Sequence, residues 1–272
     1  MGAVLNELGV RPSRGLGQNF LVDANILRIL VEAAACRAAE PVLEIGPGLG
    51  TVTAALLERG AAVTAVEKDH RLAAWLRRRF AGQAGFHLVE ADMLDVALPG
   101  LPGAPFRTVV SNLPYRDGSR ILVNLLREPD RPGRMVLTVQ KEVADRLASP
   151  PGKHDFGLLT LWTGLHYQVE LLHKVGPRCF FPVPAVASGI VRLVAHPGRA
   201  PSPGVTDRYM ALTRAAFRHR RKQLAGIVRT GDADWPFTET QCRAWLRARG
   251  LDPDCRPAVL SVDDWLALAS LT

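Results

Sequence analysis

The hydrophobic pattern changes period along this chain, and that change predicts its architecture. Beyond Pro41, short apolar runs at residues 42–45, 62–66, 87–90, 108–110 and 135–139 read as buried strands. Amphipathic segments at 51–59, 70–80, 120–126 and 142–147 fall between them and read as helices. Strands alternating with helices build a parallel sheet covered on both faces. Ahead of the sheet, Asp23 reads as the N-cap of a helix whose apolar side carries Ile26, Leu27, Leu30 and Val31.

Two more strands are expected at 167–172 and 189–194, joined through Phe180-Phe181-Pro182-Val183-Pro184. No helical pattern fits between them, so they predict an antiparallel edge hairpin. Residues 196–204 are rich in Pro, Gly and Ser and read as a linker. Beyond it the pattern is helical, at 209–217, 239–249 and 262–269. The expected organisation is an α/β domain over residues 1–197 and a small all-helical domain over 205–272.

Charge narrows the partners. The formal net charge is +8 and the isoelectric point about 9.8, which suits a polyanion: nucleic acid first, an anionic membrane surface second. No stretch approaches the ~20 apolar residues that span a bilayer, and the N-terminus lacks the pattern of a signal peptide. Cys36, Cys179, Cys242 and Cys255 are scattered, and the histidines show no ligand spacing. The expectation is a cytoplasmic, reduced, metal-free protein with no membrane partner. No long apolar surface stripe calls for a dimer, so a monomer is expected.

Candidate chemistry gathers where the strands end. Glu44-Ile45-Gly46-Pro47-Gly48-Leu49-Gly50 follows one strand and precedes a helix, a turn whose glycines let backbone approach a ligand. Its spacing differs from the dinucleotide fingerprint. Glu67 ends the next strand, where an acid accepts ribose hydroxyls, and Asp92 ends the third, where an adenine amine would lie. Asn112-Leu113-Pro114-Tyr115 closes the fourth. The Asn oxygen and a backbone carbonyl can accept from an exocyclic amine, Pro114 fixes the turn, and Tyr115 offers a stacking face. The same tetrapeptide also reads as an ordinary strand exit.

Together these features resemble an S-adenosylmethionine-dependent methyltransferase with a Rossmann-like sheet. Four further runs make the resemblance closer: Gly17-Gln18-Asn19-Phe20-Leu21, Val139-Gln140-Lys141-Glu142-Val143-Ala144-Asp145-Arg146-Leu147, Phe180-x-Pro182-x-Pro184-x-Val186-x-Ser188, and Phe217-Arg218-His219-Arg220-Arg221-Lys222-Gln223-Leu224. In that order the chain, from about residue 11 onward, is similar to the ribosomal RNA adenine N6-dimethyltransferase family. Within it, the resemblance is strongest to the small-subunit enzymes, which dimethylate two adjacent adenosines in the 3′-terminal hairpin loop of the immature subunit's RNA.

The resemblance implies S-adenosylmethionine as cofactor and assigns roles. Gln18, Asn19 and Phe20 rim the cofactor pocket. Gly46, Gly48 and Gly50 enclose the methionine part, Glu67 takes the ribose, and Asp92 with Met93 takes the adenine; Glu44 and Lys68 also belong to the cofactor site. Asn112 touches cofactor and target base, the Leu113 carbonyl takes an amine hydrogen, and Tyr115 and Phe180 sandwich the base. One of Phe180 and Phe181 is expected to serve the core instead. Arg11, Arg14, Arg218, Arg220, Arg221 and Lys222, with Arg243, Arg247 and Arg249, are expected to hold RNA phosphates.

Departures from the family pattern flank the pocket. Arg116-Asp117-Gly118 stands where Asn, a small apolar residue and Ser are usual, and Ala185 and Ala187 replace the usual Lys and Asp. Arg256-Pro257-Ala258-Val259-Leu260-Ser261 keeps only part of the usual pattern. Two other readings stay open on sequence alone: a large-subunit adenine methylase of the antibiotic-resistance type, and a non-catalytic assembly factor with the same fold.

Overall fold

A computed structural model describes Leu5, Leu8, Gly9, residues 17–199 and residues 201–271. A seven-stranded sheet, ordered β4-β3-β2-β5-β6-β9-β7, forms its centre. The strands are β2 (Pro41–Ile45), β3 (Ala62–Glu67), β4 (Phe86–Glu90), β5 (Thr108–Asn112), β6 (Arg134–Gln140), β7 (Tyr167–Val175) and β9 (Ser188–Ala195). β2 through β6 pair in parallel, and β9 runs antiparallel to β6 from Arg134↔Val194 to Gln140↔Ser188. β9 therefore enters between β6 and β7. The connection from β7 is no tight turn, because it contains β8 (Phe180–Phe181), which pairs with β1 (Phe20–Leu21) in a separate two-stranded ribbon.

Burial explains these strands. Val42, Leu43, Val63, Ala65, Val109, Val110, Met135, Val136 and Leu137 have no exposed surface, as expected for a sheet covered on both faces. Helix α1 (Ala24–Ala34) starts at Asp23, whose carboxylate accepts from the Asn25 and Ile26 amides at 2.9 and 3.0 Å. It buries Ile26, Leu30, Val31 and Ala34. Helix α2 (Thr51–Glu58) follows the glycine turn. Helix α3 (His70–Arg79) is capped by Asp69 and carries Arg77, Arg78 and Arg79 in its last turn, where cations suit the dipole. Helix α4 (Gly118–Arg127) buries Ile121, Leu122, Leu125 and Leu126.

From β2 the chain moves outward to β3 and β4, then returns to the other side of β2 as β5. The strand order thus switches between β2 and β5, the place where open α/β sheets leave a crevice beyond their carboxyl ends.

The chain divides into two compact units. One holds residues 1–144 and 168–195, the other residues 145–167 and 196–272. Residues 145–167 lie within the α/β span expected from sequence but cluster with the C-terminal helices. Their helix, α6 (Leu158–Gly164), follows α5 (Lys141–Leu147) in the chain. Two hydrogen bonds tie it to α7 (Pro203–Arg218): Tyr209 donates its hydroxyl to the Leu161 carbonyl at 2.9 Å, and Trp162 Nε1 donates to Thr213 Oγ1 at 3.1 Å. Helices α8 (Leu224–Thr230), α9 (Glu239–Ala248) and α10 (Val262–Ala269) complete this unit. Among the described residues no helix is long and apolar enough to cross a membrane.

Candidate active site

The crevice at the switch point is a cleft lined by residues 17–21, the glycine turn, Glu67, Lys68, Asp69, Asp92, Met93, Asn112, Leu113 and Pro114. Of the cofactor residues expected from sequence, all but Gly50 line it; a Cβ on Gly50 would meet Phe80 and Leu76 instead. The turn favours glycine at three places: Gly46, Gly48 and Gly50 have φ of 65°, 58° and 78°. A Cβ on Gly48 would stand 2.9 Å from the Phe20 ring, whereas one on Gly46 would meet no atom within 4 Å. Gly46 therefore keeps space open in the cleft wall. Behind the turn, Trp75 Nε1 and Arg79 Nη1 both donate to the Leu49 carbonyl, at 3.3 and 2.7 Å.

Glu67 holds the turn from below. Its carboxylate accepts from the Gly48 amide at 3.0 Å and the Asp69 amide at 2.9 Å, one on each oxygen. Each oxygen keeps a second lone pair for a ligand hydroxyl. Burial raises the Glu67 pKa, and these two amides work against that shift. Lys68 is ion-paired with Asp92, which holds the Asp92 carboxyl below the usual carboxylate range; the Leu94 amide donates to its other oxygen at 3.0 Å.

Glu44 is buried, and burial pushes its carboxyl up to about 8, against a hydrogen bond from Thr53 Oγ1 at 2.6 Å and with the nearby Glu67 charge adding to the rise. A raised carboxyl favours the protonated folded state, so its contribution is fully present below the ordinary glutamate value of 4.5 and is lost as pH rises toward about 8. Glu44→Gln is expected to flatten the fall of Tm between those pH values, which a thermal-melt series in steps of pH measures.

At the end of β5, Asn112 donates Nδ2 to the Asn19 carbonyl at 2.7 Å. That bond fixes which way round the amide lies, leaving Oδ1 as an acceptor. Oδ1 is buried and has no hydrogen-bond partner among the described residues. Such an atom costs ~1–3 kcal/mol unless a donor reaches it. The turn is rigid: the Leu113 amide donates to the Thr138 carbonyl at 3.1 Å and the Gly118 amide to the Pro114 carbonyl at 2.8 Å. Tyr115 hydrogen-bonds the hydroxyl of Ser188 at the head of β9, and burial raises its pKa.

The aromatic sandwich takes a different form from the one expected. The Tyr115 and Phe180 rings are 6.4 Å apart at centroids and inclined by 73°, edge to face, so they present no pair of parallel faces. Phe180 is only 1% exposed and packs in the core with Leu21, Val175 and Ile190, while Phe181 is 42% exposed. The cross-strand register explains this, since Leu21 opposite Phe180 faces the same core.

The basic residues also sort differently. Arg11 and Arg14 lie outside the described residues. Arg220 is exposed, but its guanidinium donates to the His154 and Phe156 carbonyls at 2.8 and 3.2 Å, an internal brace. Arg243 pairs with Asp254 and Glu239, and Arg249 with Asp264. Arg218, Arg221, Lys222 and Arg247 are exposed and make no ion pair among the described residues. Arg218, Arg221 and Lys222 changed together to Ala are expected to lower the salt slope of RNA binding by about 2, at ~0.7 per single-strand phosphate contact. Arg220→Ala should lower Tm and leave that slope unchanged; filter binding across a salt series and a melt separate the two.

Sequence reasoning passed over several residues that the structure brings in. Asp69 lines the cleft and accepts from Gln18 Nε2 at 3.3 Å; its position as N-cap of α3 was the available signal. Ser188 ends the Phe180-to-Ser188 run, and its hydroxyl meets Tyr115. Asp117, seen only as a departure, also lines the cleft.

The sheet and its cleft define a methyltransferase of the Rossmann-like class. The chain belongs to the ribosomal RNA adenine dimethylase family, whose model matches residues 11–241. It is 42% identical over 270 residues to the ribosomal RNA small subunit methyltransferase A of Opitutus terrae, covering 97% of this chain and 95% of that one. The protein of the same name from Myxococcus xanthus is 37% identical, with 97% and 92% covered. Among solved structures, a dimethyladenosine transferase from Plasmodium falciparum superposes with a TM-score of 0.78 at 25% identity, covering 92% of this chain and 95% of that one. The 23S rRNA methyltransferase ErmE does so at 0.74 and 29%, with 92% and 98% covered.

Proposed function

We propose that this chain uses S-adenosylmethionine to dimethylate N6 of two adjacent adenosines in the 3′-terminal hairpin loop of small-subunit ribosomal RNA. On this reading it acts as a cytoplasmic monomer on the immature subunit. The observation that carries the reading is the buried, unpartnered Oδ1 of Asn112, in a cleft whose wall is left open at Gly46. The small-subunit target is supported by the relatives at 42% and 37% identity that carry that name, against 29% for the 23S enzyme.

When bound, S-adenosylmethionine supplies a methyl group already activated by its sulfonium. Glu67 and the glycine turn would hold its ribose and methionine parts, and Asp92 with Met93 its adenine. Adenine N6 is a poor nucleophile because its lone pair is delocalised into the ring. Asn112 Oδ1 and the Leu113 carbonyl, by accepting the two amine hydrogens, hold the nitrogen pyramidal and free that lone pair. The amine proton is then lost to solvent, and no strong base is required. Fixed positioning of this kind contributes ~7–11 kcal/mol in well-oriented reactions. After the first transfer one amine hydrogen remains, so one of the two acceptors still orients the base. Unstacking the base costs a few kcal/mol and is least in an unpaired loop, and stacking on Tyr115 offsets ~1–3 kcal/mol of it.

The test is transfer of labelled methyl groups to immature small and large subunits, followed by mapping. Label on two adjacent 3′-hairpin adenosines of the small subunit is expected. Label confined to large-subunit RNA, or subunit binding without transfer, would overturn the assignment.

A further inference from the structure

Asp117 departs from the family pattern and lies on the cleft wall beside the residues assigned to adenine. It occupies the N-cap position of α4, yet its side chain makes no capping hydrogen bond. Its side chain is only 22% exposed, and among the described residues its carboxylate has one contact, the exposed Arg120 guanidinium at 3.5 Å. That distance is too long for a strong bond. Helix α4, which Asp117 precedes, packs against the turn Met93–Asp95, and Asp117, Asp92 and Lys68 line the same cleft. The hydrogen bond from Lys68 to Asp92 raises the Lys68 pKa most, and the fields of Asp92, Asp117 and Asp95 add to it.

Asp92 already accepts from Lys68 on one oxygen and from the Leu94 amide on the other, keeping one lone pair on each. Asp117 is less committed than Asp92, since only the Arg120 guanidinium at 3.5 Å reaches its carboxylate among the described residues. A carboxylate only accepts hydrogen bonds, so it favours an exocyclic amine and disfavours a ring carbonyl. Resting on the methyl-donor reading above, we propose that Asp117 is a second acceptor for the 6-amino group of the cofactor's adenine, making this chain discriminate adenosyl from inosyl ligands.

The test uses calorimetric titration with S-adenosylhomocysteine and S-inosylhomocysteine, which differ by amine against carbonyl at position 6. Hydrogen bonds to charged groups are worth ~1.5–3 kcal/mol, or roughly 10- to 100-fold in affinity. Asp117→Ala is expected to lose about that factor for the adenosyl compound and little or nothing for the inosyl one. Asp117→Asn keeps the size and can turn its amide to donate, so it should bind the inosyl compound more tightly than the native protein does. Equal losses for both compounds, or an unchanged adenosyl affinity in Asp117→Ala, would refute the role of Asp117 alone. Binding of neither compound by the native protein would remove the methyl-donor reading itself. The two failures are therefore distinguishable.

Discussion

Asn112→Ala is expected to bind ribosomal RNA as the native protein does while losing methyl transfer by at least 10²–10³-fold in kcat. That range is the usual cost of removing one preorganised group from a reacting centre. The alanine loses two things at once. It removes the acceptor Oδ1, and it breaks the bond from Nδ2 to the Asn19 carbonyl on the cleft rim. Asn112→Asp separates them, since it keeps an oxygen at Oδ1 but sets a charged oxygen against that carbonyl. It should fall between native and alanine in single-turnover rate, and filter binding of the RNA should move in neither variant. Near-normal turnover in Asn112→Ala would remove the proposed chemistry.

A second large effect is expected at the glycine turn, where two neighbouring substitutions should divide stability from affinity. Gly48→Ala places a Cβ 2.9 Å from the buried Phe20 ring at a φ of 58°. The left-handed backbone costs ~1–2 kcal/mol and overpacking ~1–3 kcal/mol, so a loss of about 2–5 kcal/mol in unfolding free energy is expected. Gly46→Ala has the backbone cost without the clash, because the space around its Cβ is empty. Its methyl group projects where a ligand would lie, so it should lose about 1–2 kcal/mol of stability but bind S-adenosylhomocysteine far more weakly. Denaturant melts with a ligand titration distinguish the pair. Equal stability losses would show that the turn relaxes around either side chain.

The centre of the sheet is readable because strands β2, β3, β5 and β6 are buried on both faces and form unbroken apolar runs between turn residues. Asp23 was readable as a cap because its side chain satisfies amides that no other group reaches. Other elements carried weaker or contrary signals. Helix α6, Leu-Leu-Thr-Leu-Trp-Thr-Gly, mixes β-branched and aromatic residues and has no polar stripe to reveal a helical period. Two-residue strands such as β1 and β8 have no period at all, and only their long-range pairing defines them. Helix α8 is short and buried on most sides, so amphipathicity fails to mark it.

The candidate site divides along the same line. Gly46, Gly48, the strand-terminal acids and Asn112 stand where local geometry and topology alone place a ligand, and they line the cleft. Tertiary partners decided the remainder. Arg220 reads as a phosphate ligand until the carbonyls of residues 154 and 156 are seen to occupy it. Phe180 reads as a stacking face until its register with Leu21 turns it into the core. Asp117 and Ser188 depend on side-chain environments that spacing does not encode.

The insertion of β9 between two strands made earlier bears on how this protein comes off the ribosome that synthesises it. Ser188, which anchors Tyr115, opens the last strand to be translated, and β8, which pins residues 20 and 21, is made only just before it. Contacts that close so late in sequence form slowly and depend on nearly the whole α/β unit. A nascent chain that has emerged only through β7 thus carries the glycine turn and Asn112 but has neither the anchored ring nor the clamped rim.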